Sequence, residues 1–205
     1  MANHAQSIDT AVQRRIRRWP AGRVFVPADL LGLGSRTAVG LALMRHARAG
    51  LIRRLARGLY VRPRRDAQLG LLTPPADDIA RALAGRDATR LQPSGAYAAN
   101  LIGLSDQVPL QVVFLTDGPT RRVIVGRQRI TLKRTTPRNM ATAGRTSGTV
   151  IQALRWLGRR HVDDTAVAIL RQRLSRDDRQ QLLRDLRYAP AWIGAILRRV
   201  AAGKG

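Results

Sequence analysis

Ile8, Val12, Ile16 and Trp19 recur at helical spacing and form one apolar stripe on a segment from about Ser7 to Trp19. Ser7 suits an N-cap and Asp9 the positive end of a helix. Pro20-Ala21-Gly22 stops that helix, and Arg23–Val26 is a short strand. Pro27 fits the first turn of a second helix carrying Leu30 and Leu31. A Gly-rich corner, Gly32–Gly34, leads to a third helix, capped by Ser35 and running to Ala49. Its inward stripe is Val39, Leu43 and Ala47, with Leu41 and Ala42 adjacent. Ala49-Gly50 ends it, because glycine takes the left-handed position after a helix without a Cβ clash. Two strand-like runs follow, Leu51–Leu55 and Leu59–Arg62, joined by the tight turn Ala56-Arg57-Gly58. The order predicts a helix-turn-helix with a β-wing.

After residue 73 the pattern changes. Asp77–Ala84 and Pro93–Ile102 are Ala-rich and predict helices. Gln111–Thr116, Val123–Val125 and Arg129–Lys133 are β-branched or alternating and predict strands, with turns at Asp117-Gly118 and Gly126-Arg127. Helices are expected at about Thr149–Leu157, Thr165–Arg173, Asp177–Leu186 and Ala191–Val200. Ser175 with Asp178 makes a capping-box-like start. Breaks at Pro63–Asp66 and Thr73-Pro74-Pro75 place a junction, giving domains 1–65 and 66–205. The expected class is α+β: an N-terminal winged helix-turn-helix, then a mixed domain with a small sheet and a helical C-terminal part.

Charge sharpens this picture. The 205 residues carry 37 Lys+Arg against 13 Asp+Glu, a net of +24. Such an excess points to a polyanion partner, since neutralising phosphates releases counterions. Lys133 and Lys204 are the only lysines, and every acid is Asp. Arg offers a planar fork for phosphates and guanine edges, although GC-rich coding also favours Arg over Lys. Residues 1–65 hold 14 Arg against Asp9 and Asp29, a net of +12; residues 66–205 carry the same net over more than twice the length. No apolar run is long enough for a membrane helix, and Met1–His4 does not open a secretory signal. A cytoplasmic location with no membrane partner is expected.

Catalytic patterns are weak. There is no cysteine, and His4, His46 and His161 are too dispersed for a metal site. His46 reads as a surface or DNA-facing residue. Asp117, a hairpin and Ile130-Thr131-Leu132-Lys133 imitate the layout of restriction-type nucleases, but Thr131 stands where a second metal-binding carboxylate is needed. A turn at Asp117-Gly118 is the simpler reading, and any nuclease-like sheet would be inactive. Asp77-Asp78 and Asp163-Asp164 read as helix starts. Gly32-x-Gly34 lacks a Walker lysine, and Ser94-Gly95 lacks a nucleophile-elbow pattern. No catalytic residue, metal or cofactor is expected.

The runs Val24-Phe25-x-Pro27-x-Asp29-Leu30, Gly32-Leu33-Gly34-Ser35-Arg36-x-Ala38-Val39 and Arg53-Arg54-Leu55-Ala56-Arg57-Gly58-Leu59-Tyr60-x-x-Pro63 resemble the AbiEi-like antitoxins of type IV toxin–antitoxin systems. Gln92–Ser105 with Gln107-Val108-Pro109 resembles the start of that family's C-terminal domain, and the similarity continues to Trp156-Leu157-Gly158. The resemblance implies an N-terminal winged helix that binds inverted repeats at its own promoter. It also implies a C-terminal domain with antitoxin activity, which counters a nucleotidyltransferase toxin without a stable complex. No nucleotidyltransferase motif is present, so the chain resembles the antitoxin and not the toxin.

The expected partner is therefore double-stranded DNA. Ser35, Arg36 and Thr37 would lie nearest base edges, with Gly40, Met44, Arg45 and Arg48 as further outward positions. Arg53, Arg54 and Arg57 would meet phosphates or the minor groove. Arg14, Arg15, Arg17 and Arg18 would add backbone contacts. The rivals are an RNA-binding protein that protects a toxin's target, disfavoured by few aromatic stacking platforms, and a divergent nuclease-like protein.

Overall fold

The computed structural model describes residues 2–85 and 89–202, with side chains from residue 7 onward. The chain is α+β and divides into two compact units, residues 1–87 with 124–126 and residues 88–123 with 127–205. The division falls further along the chain than the expected 65/66 junction.

In the first unit, α1 spans Ala2–Arg18, so Ser7 lies within the helix and does not cap it. No Gly or Pro interrupts residues 2–6 to stop the helix earlier. Strand β1 (Val24–Phe25) leads into Pro27–Leu33, which is a 3-10 segment and not the expected α-helix. The Asp29 carboxylate holds it by accepting from the Val26 amide at 2.9 Å. Helix α2 (Arg36–Arg48) starts at Ser35, whose Oγ accepts from the Ala38 amide at 3.3 Å, and stops before Gly50 at φ +73°. Strands β2 (Arg53–Ala56) and β3 (Leu59–Val61) form the expected hairpin, with an irregularity between Arg54 and Ala56. Strand β1 pairs antiparallel with β3, Phe25 opposite Tyr60, giving the order β1-β3-β2.

Val12, Ile16, Trp19, Phe25, Leu30, Val39, Ala42, Leu43 and Ile52 make the buried core of this unit. The Trp19 and Phe25 rings lie 4.8 Å apart, and Tyr60 stacks on Phe25 at 5.8 Å. Burying such rings is among the largest stabilising contributions available to a small core. Helix–strand–3-10–helix–hairpin is an order compatible with a winged helix-turn-helix.

The unit then continues past residue 65. Strands β4 (Arg65–Asp66) and β5 (Gly70–Leu71) form a small hairpin, whose turn is set by Asp66 accepting from the amides of Gln68 and Leu69. Helix α3 (Ala76–Ala84) follows, with Ile79, Ala80 and Ala84 buried and Asp77 and Asp78 in its first turn. Arg53 donates to the Leu72 carbonyl at 3.1 Å, and the Leu72 amide donates to the Arg64 carbonyl at 2.9 Å. These bonds tie the post-hairpin segment to the wing, which explains why the unit does not end at residue 65.

Beyond residue 88 the chain forms a mixed sheet with strand order β6-β7-β9-β8, from β6 (Leu91–Ser94), β7 (Gln111–Thr116), β8 (Arg121–Val125, whose last two residues are grouped with the first unit) and β9 (Gln128–Arg134). Strand β6 is antiparallel to β7, whereas β7 and β9 are parallel. Pro93 and Ser94 therefore belong to a strand, not to the helix expected over Pro93–Ile102. Pro93 is tolerated because β6 is an edge strand. Helix α4 (Gly95–Leu101) begins directly after it. A short helix α5 (Pro137–Met140) precedes α6 (Thr146–Leu157). Helices α7 (Asp164–Arg173), α8 (Arg176–Arg184) and α9 (Ala191–Ala201) complete the chain. Val150, Leu154, Leu170, Leu182, Ile193 and Leu197 are buried where these helices meet.

The caps behave as their residue types dictate. Asp163 accepts from the Ala166 amide at 2.9 Å, and Ser175 both accepts from the Asp178 amide and donates to its carboxylate. Asp185 is buried and receives Arg145, Ser147 and Gln181 at 2.7, 2.5 and 2.9 Å. One buried carboxylate thus satisfies three donors.

Candidate nucleic-acid interface

The sequence-predicted residues lie on α1, α2 and the β2–β3 hairpin of the first unit. Helix α2 turns its Val39–Leu43 face into the core. Ser35, Arg36, Thr37, Gly40, Met44, Arg45 and Arg48 are all exposed. With about 3.6 residues per turn, Thr37, Gly40, Leu41, Met44 and Arg48 share one stripe, with Arg36 and Arg45 on its two flanks. Leu41 is 47% exposed, so it belongs to this outward stripe and not beside the core stripe. Arg14, Arg15, Arg17 and Arg18 are exposed at the C-terminal half of α1, and Arg54 and Arg57 on the hairpin.

Three residues serve the fold more directly than the surface. Ser35 caps α2, as above. Arg45 donates two hydrogen bonds to Asp9 Oδ1, at 3.0 and 2.8 Å, which ties α2 to α1. Arg53 is half-buried, with its guanidinium on the Leu72 carbonyl. Its Nε is buried without a hydrogen-bond partner, so the side chain is held inside the unit.

His46 is also not the surface residue expected. It is 5% exposed, and its Nε2 lies 3.3 Å from the Asp9 carbonyl. Turned toward α1, it is part of the packing beneath the outward stripe. Its spacing of seven from Val39 puts it on the inward face of α2; what that pattern could not show is its partner, Asp9, 37 residues earlier.

Two exposed residues escaped the sequence reading, Arg64 and Arg65, which flank the start of the small β4–β5 hairpin. Strands of two residues leave no period to detect, and the only signal was the arginine pair beside Asp66. A cavity of about 770 Å³ also lies in the first unit, lined by Arg23, Arg64, Arg81, Asp29 and Asp78 among others. Arg23 caps the Trp19 ring at 4.5 Å there, and Arg81 pairs with Asp78 at 2.8 Å.

Of the nuclease-like residues, Asp117 is engaged by Arg90. Asp117 accepts from the Arg90 amide at 2.9 Å and from Arg90 Nε at 2.8 Å. The Arg90 side chain holds the Asp117 carboxyl below the usual carboxylate value. Thr131 lies opposite Val113 in the parallel register, well along the strand from Asp117. Ser94 Oγ donates to Gln152 Oε1 at 3.4 Å, and His161 Nδ1 lies 2.9 Å from the Leu157 carbonyl. The His4 side chain lies outside the described residues. Among the described residues, no group of three His or Asp side chains is placed to hold a metal ion, and no helix is long and apolar enough to cross a membrane.

A family model matches residues 11–182: DUF6088, a family of unknown function. The chain belongs to DUF6088. No curated protein and no solved structure matches it. The DUF6088 match begins within α1 and ends within α8, so it takes in the exposed stripe of α2, the hairpin and the mixed sheet.

Proposed function

We propose that this DUF6088 protein is a double-stranded DNA-binding transcriptional repressor, acting at inverted repeats in its own promoter and serving as the antitoxin of a type IV toxin–antitoxin system. The observation that carries the DNA-binding reading is the exposed face of α2 together with the exposed arginines of the β2–β3 hairpin in the same compact unit, in a chain of net charge +24. A helix fills a major groove while an adjacent hairpin touches phosphates. Arg36 and Thr37, near the N-terminus of α2, address base edges. Gly40, Met44 and Arg48 continue along the groove. Arg54, Arg57 and the α1 arginines neutralise phosphates.

The antitoxin part rests on the AbiEi-like runs in both halves of the sequence. In this reading the toxin is a functional partner, the chain works in the cytoplasm by binding, and it has no catalysis of its own.

A single binding series tests the first part. Full-length protein is titrated against duplex DNA from its own promoter, random duplex, structured RNA and single strands at several salt concentrations. Tightest binding to promoter duplex, with a steep salt dependence, is expected. Preference for structured RNA would replace this reading with an RNA-protecting one. For the antitoxin part, a toxin gene should lie next to this one, and co-expressing the two should restore the growth that the toxin alone arrests.

A further inference from the structure

The outward stripe of α2 is not a uniformly basic surface. Its centre is Thr37, Gly40, Leu41 and Met44, with Leu41 and Met44 47% and 42% exposed. Charge flanks it on the helix itself at Arg36 and Arg48, and the same unit exposes Arg54 and Arg57 on the hairpin. Gly40 sits mid-helix, where glycine weakens the helix. A Cβ built on Gly40 would meet nothing within 4 Å, so no packing inside the chain calls for glycine there. A bare backbone at an exposed helix position admits close approach by a partner. Each thymine offers a C5 methyl in the major groove, an apolar target for apolar side chains.

We propose that α2 recognises thymine methyl groups through Leu41 and Met44, with Gly40 letting the helix backbone settle close to the base edges. The preferred duplex then carries T·A pairs opposite the middle of α2. Duplex DNA is the occupant because the apolar strip is bordered by arginines that match flanking phosphates. The inference rests on the duplex-DNA reading above.

The test uses the full chain. Duplexes are selected from a randomised library, and the enriched site is resynthesised with deoxyuridine at each thymine in turn. Enrichment for thymine is expected, with about fourfold weaker binding for each contacted methyl removed. Leu41→Ala with Met44→Ala should bind thymine and deoxyuridine duplexes equally, at the affinity the unmodified protein shows for the deoxyuridine site, while the salt slope stays unchanged because no charge is removed. Both side chains are exposed, and the deoxyuridine comparison on the unmodified protein needs no variant at all.

A specific site whose affinity ignores deoxyuridine overturns this inference and leaves the DNA reading standing. Absence of duplex binding overturns both. Self-association that disappears in the double variant assigns the strip to a second copy of the chain and also overturns it.

Discussion

Arg36 and Arg54 are exposed, whereas Arg53 is half-buried, and the three should respond differently to replacement. Arg36 is exposed on the flank of the α2 stripe, so Arg36→Ala should cost on the order of 1–3 kcal/mol on the preferred duplex and much less on random DNA. Arg54 is exposed on the hairpin, its Nε 3.3 Å from the Ala56 carbonyl. Arg54→Ala should weaken both duplexes alike and shallow the salt slope by about one ion. Gel shifts across a salt series separate the two outcomes. Arg53 is a structural residue, so Arg53→Ala should lower unfolding stability by about 1–3 kcal/mol through loss of the Leu72 bond and burial, read by denaturant titration. The carboxylates give a pH signature. Asp117 is held below 3.8 mainly by the Arg90 side chain, and Asp178 mainly by Ser175 and then Thr146. A lowered folded-state value stabilises the native state above the unfolded value, and that contribution fades as pH falls through the folded one. Thermal stability should therefore decline below about pH 4, and Asp117→Asn should flatten part of that decline.

At the scale of elements, α2 makes the sharpest prediction. Gly40→Ala should stabilise the fold by roughly 1 kcal/mol, since the site is exposed and open and alanine is the better helix former. The same change should weaken binding to the preferred duplex if the backbone lies close to the bases. Thermal melts and gel shifts on one preparation show whether the two effects run in opposite directions. This helix was legible because a 3.6-residue period separates Val39 and Leu43 from Thr37, Met44 and Arg48. Leu41 was misplaced because apolarity alone assigned it inward, and charged surroundings do not show in a stripe count. The hairpin was legible from its turn. The 3-10 segment was not, since Pro27, Leu30 and Leu31 satisfy either helix type. Strand β6 was hidden because the Ala-rich run after Gly95 overshadowed four strand residues containing a proline. The position of β9 next to β7 was equally hidden, because pattern reveals strands but not which neighbours they choose.

At the scale of the molecule, the bonds from Leu72 to Arg53 and Arg64, and the buried face of α3, place the end of the first unit beyond residue 65. A fragment of residues 1–85 should show cooperative unfolding by circular dichroism, whereas residues 1–65 should melt at lower temperature or without cooperativity. In the mixed sheet, strand order has a consequence for how the chain reaches its native state. Strand β9 lies between β7 and β8, although β8 precedes it in sequence. Adding strands one at a time would seat β8 against β7 and block the place β9 must take. The order favours a route in which β8 and β9 zip together around the Gly126 turn and dock onto β7 as a pair. Gly126 has φ +59°, which L side chains rarely adopt. Gly126→Ala should then slow refolding in stopped-flow experiments and leave the unfolding rate nearly unchanged, the mark of a nucleus formed early.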